Sequence, residues 1–306
     1  MIDVHAHYLP DSYRTALTAA GHAQPDGMAA IPEWSAVEHV ALMDTLGIEV
    51  SMLSISSPGV WSADLAREVN EEGRRTVVDH PGRFGLLASL PLPDVDAAMT
   101  EIAFCCDHLD VDGFAVLTNA GGTYLGDPSL APVFRELDRR GARVFVHPTS
   151  PPCWEHTSLG RPRPMLEFFL DTTRCVVDLV LSGTIAQHPD IEFLIPHAGA
   201  ALAMVADRVS VFSLVLGVDA DIDVTRDLGR LHYDLAGFPI PRQLAALRSL
   251  TADDHLHYGS DFPFTPGFAV AGACDVLASV TEPANLLDRL RANSERLFPR
   301  LAQHNG

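Results

Sequence analysis

Eight short segments rich in apolar and β-branched residues alternate with longer amphipathic segments along the whole chain. The candidate strands cover residues 2–7, 50–56, 84–91, 113–117, 143–147, 192–197, 231–235 and 255–260. Strand–helix alternation repeated eight times predicts an α/β fold of the (β/α)₈ TIM-barrel type. A chain of 306 residues is a usual length for one such barrel. We therefore expect a single domain over residues 1–306.

The segments between the candidate strands carry apolar residues at helical spacing, and several have recognisable start or stop residues. Ser62 is a suitable N-cap, and Gly47 and Gly141 are suitable stops. The long stretch 8–35 after the first strand is a candidate lid or wall of a site. The predicted helices cover residues 36–46, 62–78, 95–108, 130–140, 164–187, 199–216, 239–249, 267–280 and 283–301.

Three of the candidate strands end in, or lead directly to, side chains of the kind that bind metal ions. His5 and His7 close the first strand, His147 closes the fifth, and Asp261 follows the eighth. His5 and His7 are two residues apart, so their side chains point to the same face of the strand. The C-terminal ends of barrel strands open onto one face, where residues far apart in sequence meet. We predict a metal site made of His5, His7, His147 and Asp261, with a hydrogen-bonded pair of core histidines as the alternative.

The predicted ligands indicate one divalent ion. Three nitrogen atoms and one carboxylate oxygen suit zinc, and manganese or iron would also be accommodated. The chain has no lysine, because all 21 of its basic residues are arginine. A carbamylated lysine that bridges two metals is therefore excluded, and we expect a mononuclear site.

Further polar residues near the same strand ends are candidates for catalysis. His197 ends the sixth strand, and we predict that it transfers a proton, with a fifth metal ligand as the alternative. Asp261 is a second candidate catalytic residue. Asp234, at the end of the seventh strand, is expected to orient His197 or to cap a helix. Asp3 either orients a ligand histidine or caps the strand start, and the sequence leaves both open.

Aromatic and basic residues in the loops of the same face are candidates for substrate binding. Phe262 and Phe264 follow the last predicted ligand, and Trp154 follows the fifth strand. Such rings can hold a flat substrate, although loop packing explains each of them singly. Arg161 and Arg163 are candidates for holding a substrate carboxylate, with plain surface charge as the alternative.

The charge and the cysteines restrict the partners. The formal net charge of −19 repels nucleic acid and anionic membranes, so we expect neither as a partner. Asp207 and Arg208 interrupt the most apolar helical stretch, which argues against a membrane span. The first strand begins at Ile2, so we expect no signal peptide. The five cysteines form no CxxC pair, which predicts a reduced, cytoplasmic protein.

The chain resembles the amidohydrolase superfamily. More closely, it is similar to the branch that contains aminocarboxymuconate-semialdehyde decarboxylase and the salicylate-type decarboxylases. Residues 34–44 and 53–59 are further similar to 6-methylsalicylate decarboxylase. The resemblance covers nearly the whole chain. The motifs that carry it are His5-Ala6-His7, His147, His197 and Gly259-Ser260-Asp261-Phe262-Pro263-Phe264.

The resemblance implies one metal ion held by His5, His7, His147 and Asp261, with His197 handling a proton or a water. It also implies C–C bond cleavage without oxygen or an organic cofactor, and a homodimer. In the muconate-semialdehyde enzyme, an arginine after the second strand helps to hold a substrate carboxylate. This chain has no arginine in that loop, at residues 57–61, which favours a less charged aromatic acid.

We therefore expect a metal-dependent, non-oxidative decarboxylase of a small salicylate-like aromatic acid or a related carboxylic acid. Protonation of the ring carbon that bears the carboxylate would release carbon dioxide, with His197, Asp261 or a water on the metal as the donor. The alternative is a mononuclear metal-dependent hydrolase of a lactone, ester or amide, which would use the same ligands to activate water. A third possibility is a non-catalytic binding barrel, which failure to bind any metal would favour.

Overall fold

The computed structural model describes residues 1–217, 222–280 and 285–301. Of its described strands, eight form one parallel sheet in the order β1-β2-β3-β4-β7-β8-β9-β10, and β5 and β6 form a separate antiparallel hairpin. The strands are β1 (Ile2–His7), β2 (Val50–Ser54), β3 (Phe84–Ser89), β4 (Gly113–Leu117), β5 (Asn119–Ala120), β6 (Thr123–Tyr124), β7 (Arg143–His147), β8 (Glu192–Ile195), β9 (His232–Asp234) and β10 (Leu256–His257).

Hydrogen bonds between β1 and the segment around and after β10 close the sheet. The backbone nitrogen of Val4 donates to the carbonyl oxygen of Tyr258 at 2.9 Å, and that of His7 donates to Phe262 at 2.8 Å. The expected TIM barrel is therefore confirmed. Closure also brings the segment that carries Asp261 alongside the C-terminal end of β1.

Helices follow the strands around the outside of this barrel. None of the helices within the described ranges is long and apolar enough to span a membrane. The helices are α1 (Asp11–Ala19), α2 (Ala36–Leu46), α3 (Ala63–Asp79), α4 (Val95–Phe104), α5 (Ala131–Arg139), α6 (Trp154–Thr157), α7 (Glu167–Leu181), α8 (Thr184–Gln187), α9 (Leu202–Leu216), α10 (Val224–Gly229), α11 (Arg242–Leu247), α12 (Gly267–Ala278) and α13 (Leu286–Leu297).

Positive backbone angles shorten or divide some predicted helices. The predicted helix 164–187 is two helices, because Gly183 adopts φ +76° between α7 and α8. The predicted helix 199–216 begins later, as α9, because Ala200 has φ +52° and cannot continue a right-handed helix. The predicted tail helix 283–301 corresponds to α13, and its first two positions lie outside the described residues.

The stretch 8–35 holds more regular structure than the sequence indicated. It contains α1 and a short 3₁₀ turn, Pro25–Gly27. Pro10 is the N-cap of α1, and Asp11 follows it as an acidic residue that suits the first turn. Pro25, Asp26 and Met28 of this stretch line a cavity at the C-terminal face of the barrel, as expected of a wall.

Two clusters of buried apolar side chains hold the barrel together. The larger one lies between strands and helices and includes Val144, Phe193 and Leu137. The smaller one joins strand residues such as Phe145 to Leu297 near the C-terminal end of the chain. The ring of Phe145 lies 4.8 Å, centroid to centroid, from that of His5. An apolar floor therefore lies directly under the first predicted metal ligand.

Candidate metal centre

The C-terminal end of β1 supplies two buried imidazoles whose Nε2 atoms face each other. His5 and His7 are both fully buried, and their Nε2 atoms are 3.2 Å apart. Their rings are nearly perpendicular, with centroids 5.0 Å apart. Two nitrogen lone pairs this close repel each other unless a proton or a metal ion lies between them.

Asp261 joins these two histidines from the segment after β10. Its Oδ1 atom lies 3.2 Å from Nε2 of His7 and 3.4 Å from Nε2 of His5. The residue has φ +57°, a left-handed conformation that is uncommon outside glycine, and its backbone nitrogen donates to the carbonyl oxygen of His5 at 2.8 Å. This backbone bond fixes the turn and aims the carboxylate at the histidines.

His147, at the end of β7, completes the group. Its ring centroid lies 4.8 Å from that of His7 and 5.4 Å from that of His5. One ligand atom from each of His5, His7, His147 and Asp261 lies within 4.8 Å of the others, and this is the one such group found among the described residues. The predicted ligands therefore meet, and three nitrogens with one oxygen fit a divalent metal ion.

The outer nitrogen of each ligand histidine has its own acceptor. Nδ1 of His5 lies 2.9 Å from the Asp234 carboxylate, and Nδ1 of His147 lies 2.8 Å from the Pro148 carbonyl oxygen. Nδ1 of His7 lies 3.3 Å from the carbonyl oxygen of Ser54. Because these acceptors fix the proton on Nδ1, the Nε2 atoms are left with free lone pairs that point into the centre.

The electrostatics of the group favour a cation at its centre. Burial holds the pKa of His7 below, and that of His147 well below, their ordinary value, so both rings are neutral. Burial alone would raise the pKa of Asp261, but the neighbouring imidazoles of His197, His5 and His7 outweigh it and keep the pKa well below its ordinary value. Burial likewise lowers the pKa of His5, yet the charge of Asp234 raises it to about 10. The buried carboxylate of Asp234 and the partly buried carboxylate of Asp261 thus stabilise a positive charge around the His5 imidazole, whether a proton or a metal ion.

Asp234 and Asp3 lie beside the ligand histidines, in roles that match the sequence expectation only in part. Asp234 orients the ring of His5, whereas it contacts His197 only through the backbone, accepting from its nitrogen at 3.0 Å. Asp3 accepts from the backbone nitrogens of His5 at 3.1 Å and Ser260 at 3.0 Å. Asp3 therefore ties β1 to the segment that carries Asp261, and does not contact a ligand ring.

His197 stands beside the ligand group and at the edge of a cavity. Its Nε2 atom lies 3.7 Å from Oδ2 of Asp261, and its ring stacks on that of Phe169 at 5.9 Å. The residue has φ +55°, and this conformation is held by two bonds: its nitrogen donates to Asp234, and its carbonyl accepts from the side chain of Gln243. Such strain at a side chain that faces a cavity is typical of functional residues.

The cavity beside the ligand group has a volume of about 260 Å³. Rings of Phe168, Phe169 and Phe264 form much of its apolar wall. The sequence pointed to Phe264 but missed Phe168 and Phe169, which open α7. The cavity is lined by Pro25, Asp26, Met28, Ser56, Ser57, His147, Pro164, Phe168, Phe169, His197, Gly237, Asp261, Phe264 and Thr265.

Several loop residues singled out from the sequence lie away from this cavity. Phe262 packs on His39, with ring centroids 4.8 Å apart. Trp154 lines a neighbouring cavity of about 570 Å³, and the guanidinium of Arg163 lies 4.0 Å from its ring centroid. Arg161 is exposed. Neither arginine is among the residues that line the metal-side cavity.

The whole chain can be placed in a known family. A family model described as amidohydrolase matches residues 2–300. The chain belongs to the amidohydrolase family. Among its relatives, the 6-methylsalicylic acid decarboxylase acuB of Aspergillus aculeatus is 32% identical, with all of this chain and 98% of that protein covered.

Solved structures of related proteins share the barrel. One described as amidohydrolase II superposes with a TM-score of 0.90 at 35% identity, covering 97% of this chain and 99% of that one. A dihydroxybenzoic acid decarboxylase from Polaromonas sp. JS666, with bound manganese and 2-nitroresorcinol, superposes with a TM-score of 0.81 at 21% identity. It covers 97% of this chain and 96% of that one, and at this identity the likeness concerns the fold.

Proposed function

We propose that this amidohydrolase-family protein is a metal-dependent, non-oxidative decarboxylase of a small aromatic acid. The observation that carries the proposal is the cavity, where aromatic rings form a wall directly beside His147 and Asp261. Flat apolar walls suit a planar ring, and the ligand group suits its acidic end. The 32%-identical relative, a 6-methylsalicylic acid decarboxylase, supports an ortho-hydroxybenzoate as substrate.

We propose His5, His7, His147 and Asp261 as the metal ligands. Zinc suits the three nitrogens and one oxygen, and manganese is the alternative supported by the bound ion of the Polaromonas decarboxylase. When bound, the ion would act as a Lewis acid toward the oxygen atoms of the substrate.

The catalytic step assigned to this chain's own residues is a proton transfer. His197 delivers a proton to the ring carbon that bears the carboxylate, the C–C bond breaks, and carbon dioxide leaves while the ring recovers its aromaticity. Stacking on Phe169 and the backbone bond to Asp234 hold the imidazole in place. Oδ2 of Asp261 lies 3.7 Å from Nε2 of His197, so the nitrogen that delivers the proton lies beside the ligand group. The apolar ring walls exclude water from the reacting carbon.

A paired measurement tests the function. Bound metal is quantified in the purified protein, and carbon dioxide release is then followed on a panel of hydroxybenzoates, with chelator-treated protein as control. One metal per chain, with release that chelation abolishes and metal restores, supports the decarboxylase. One metal per chain without release from any ring acid would contradict it, and a lactone and ester panel would then test the hydrolase alternative.

We further propose one catalytic domain, a homodimer and a cytoplasmic location. The family match over residues 2–300 supports one domain, and the five unpaired cysteines suit a reducing compartment.

Large apolar side chains of α9, among them Met204, Val211 and Leu214, are exposed and favour pairing with a second copy. Light scattering of wild type and of Leu214→Asp tests the dimer, which should dissociate in the variant.

A further inference from the structure

A short turn between α1 and α2 places a second carboxylate in the same cavity. The 3₁₀ turn Pro25–Gly27 lies in the long stretch after β1, and Pro25 and Asp26 both line the cavity. Asp26 is buried, with only 9% of its surface exposed, and has φ +54°. Aspartate tolerates this left-handed conformation better than most residues, yet it still carries a cost that the surrounding structure must offset.

Two residues beyond the turn hold Asp26 in place. The hydroxyl of Ser150 donates to Oδ1 of Asp26, and Nε of Arg163 donates to that hydroxyl oxygen at 3.0 Å. The guanidinium of Arg163 also packs against Gly27, where a β-carbon would lie 2.8 Å from Nη1. The second carboxylate oxygen, Oδ2, accepts no hydrogen bond from any residue in the described part of the chain. One oxygen is therefore anchored, and the other is available to a ligand.

The charges around the cavity indicate which substrate groups Oδ2 of Asp26 can bind. Of the described residues that line the cavity, the carboxylates are Asp26 and Asp261, and none is an arginine. Asp261 is assigned to the metal. A ring substituent that meets Asp26 therefore meets an anionic acceptor, because the guanidinium of Arg163 reaches Asp26 only through the hydroxyl of Ser150.

We propose that Asp26 determines substrate specificity by accepting a hydrogen bond from a neutral donor, such as a second hydroxyl, on the substrate ring. The same carboxylate repels a second carboxylate, so the substrate class is a monocarboxylic ring acid with an additional hydroxyl group. This inference rests on the proposed function, because it assumes that the acid group of the ring lies at the metal centre. A hydrogen bond to a charged acceptor contributes roughly 10- to 100-fold in affinity.

The test uses ring ligands that cannot lose carbon dioxide. In 2-nitrophenols the nitro group replaces the carboxylate, and calorimetry on metal-loaded protein gives their dissociation constants. For each ring position, three 2-nitrophenols are compared, which carry a hydroxyl, a methoxy or a carboxylate group at that position. The methoxy group can accept a hydrogen bond but cannot donate one. Wild type should bind the hydroxyl member about 10- to 100-fold more tightly than the methoxy member at one position or more.

The variants separate recognition from structural support. In Asp26→Ala the affinity for the hydroxyl member should fall to near that for the methoxy member. The affinity for the methoxy member should stay within about threefold of the wild-type value, and the carboxylate member should bind more tightly than it does to wild type. Asp26→Gly, which suits the positive φ, guards against a folding defect in the alanine variant. Glu155→Ala removes an exposed charge from the neighbouring α6 and should leave all ratios unchanged.

The inference would be overturned by a ratio near one in wild type at every position, or by a ratio that survives in both Asp26 variants. Equal weakening of all ligands would also overturn it, because that pattern indicates that Asp26 only supports Ser150. These ratios are independent of turnover. Failure to release carbon dioxide from any ring acid would count against the proposed function, while the binding ratios would still decide the role of Asp26.

Discussion

Oδ2 of Asp234 lies 2.9 Å from Nδ1 of His5, and both side chains are completely buried. The other oxygen of the same carboxylate accepts from the backbone nitrogen of His197 at 3.0 Å. One residue of β9 therefore sets the orientation of a metal ligand and the position of the histidine in the cavity. A carboxylate behind a ligand histidine fixes its tautomer and raises its basicity.

Replacing this carboxylate should weaken metal binding. In Asp234→Asn the bond to His5 loses its charge, and we expect metal affinity to fall by about 10- to 100-fold. Metal affinity is measured by competition with a chromogenic chelator. Asp171→Asn changes an equally buried carboxylate that binds Tyr124 and Arg174 instead, and should retain wild-type affinity. Equal affinity in both variants would contradict the role of Asp234.

Removing a ligand should have a larger effect. His147→Ala deletes one of three nitrogen ligands, so metal content and carbon dioxide release should be lost together. Metal analysis of the purified variant and an activity assay with added metal check this expectation. His108→Ala, at an exposed position, is the matched control. A His147→Ala protein with full metal and full activity would refute the ligand assignment.

Removing the proton donor should separate binding from turnover. His197→Ala is expected to keep its metal, because the other four side chains form the ligand group, and to lose about 10²- to 10⁴-fold in turnover. Metal content and rate are measured on the same preparation. Loss of metal in proportion to activity would instead make His197 a fifth ligand.

The barrel could be predicted from the eight apolar strand segments, and the ligand group from the histidines and the aspartate at the ends of these segments. The HxH spacing of His5 and His7 fixes a common face, and parallel strand ends bring His147 and Asp261 to the same rim. Strand ends were predicted less well. The sixth strand was expected to reach His197 but stops at Ile195, because Pro196 has no backbone N–H to donate.

The cavity wall could not be predicted, because it depends on how loops and helix ends dock. Phe168 and Phe169 read in the sequence as the start of an ordinary amphipathic helix, and only the packing of α7 turns Phe168 toward His147 and Phe169 toward His197. Asp26 lies in the stretch predicted as a lid or wall, and its direction is set by a left-handed turn that the sequence does not specify. Asp234 was expected near His197, yet its main side-chain partner is His5.

A buried histidine on α2 should make the stability of the fold depend on pH. His39 is almost completely buried, and Nε1 of Trp34 donates to its Nδ1 at 3.1 Å. Because Nδ1 accepts this hydrogen bond, it carries no proton, and the ring is neutral. Burial, helped by the nearby side chains of His7 and Arg83, lowers its pKa from 6.5 to about 3. Between these values the unfolded chain binds a proton that the folded chain does not. The contribution of neutral His39 to the free energy of unfolding is therefore complete above pH 6.5 and is lost as the pH falls toward 3.

At pH 5, this difference in proton binding should lower the free energy of unfolding by about 2 kcal/mol, because each pH unit below 6.5 contributes ~1.4 kcal/mol. Urea denaturation at pH 7.5 and pH 5.0 measures the fall for wild type and for His39→Gln, whose amide oxygen can still accept from Trp34. The variant should be less stable at pH 7.5 but should lose about 2 kcal/mol less than wild type on acidification. His108→Gln, at an exposed position, should fall as wild type does. An equal fall in wild type and His39→Gln would show that His39 is not the group responsible, because every other titrating residue is common to both proteins.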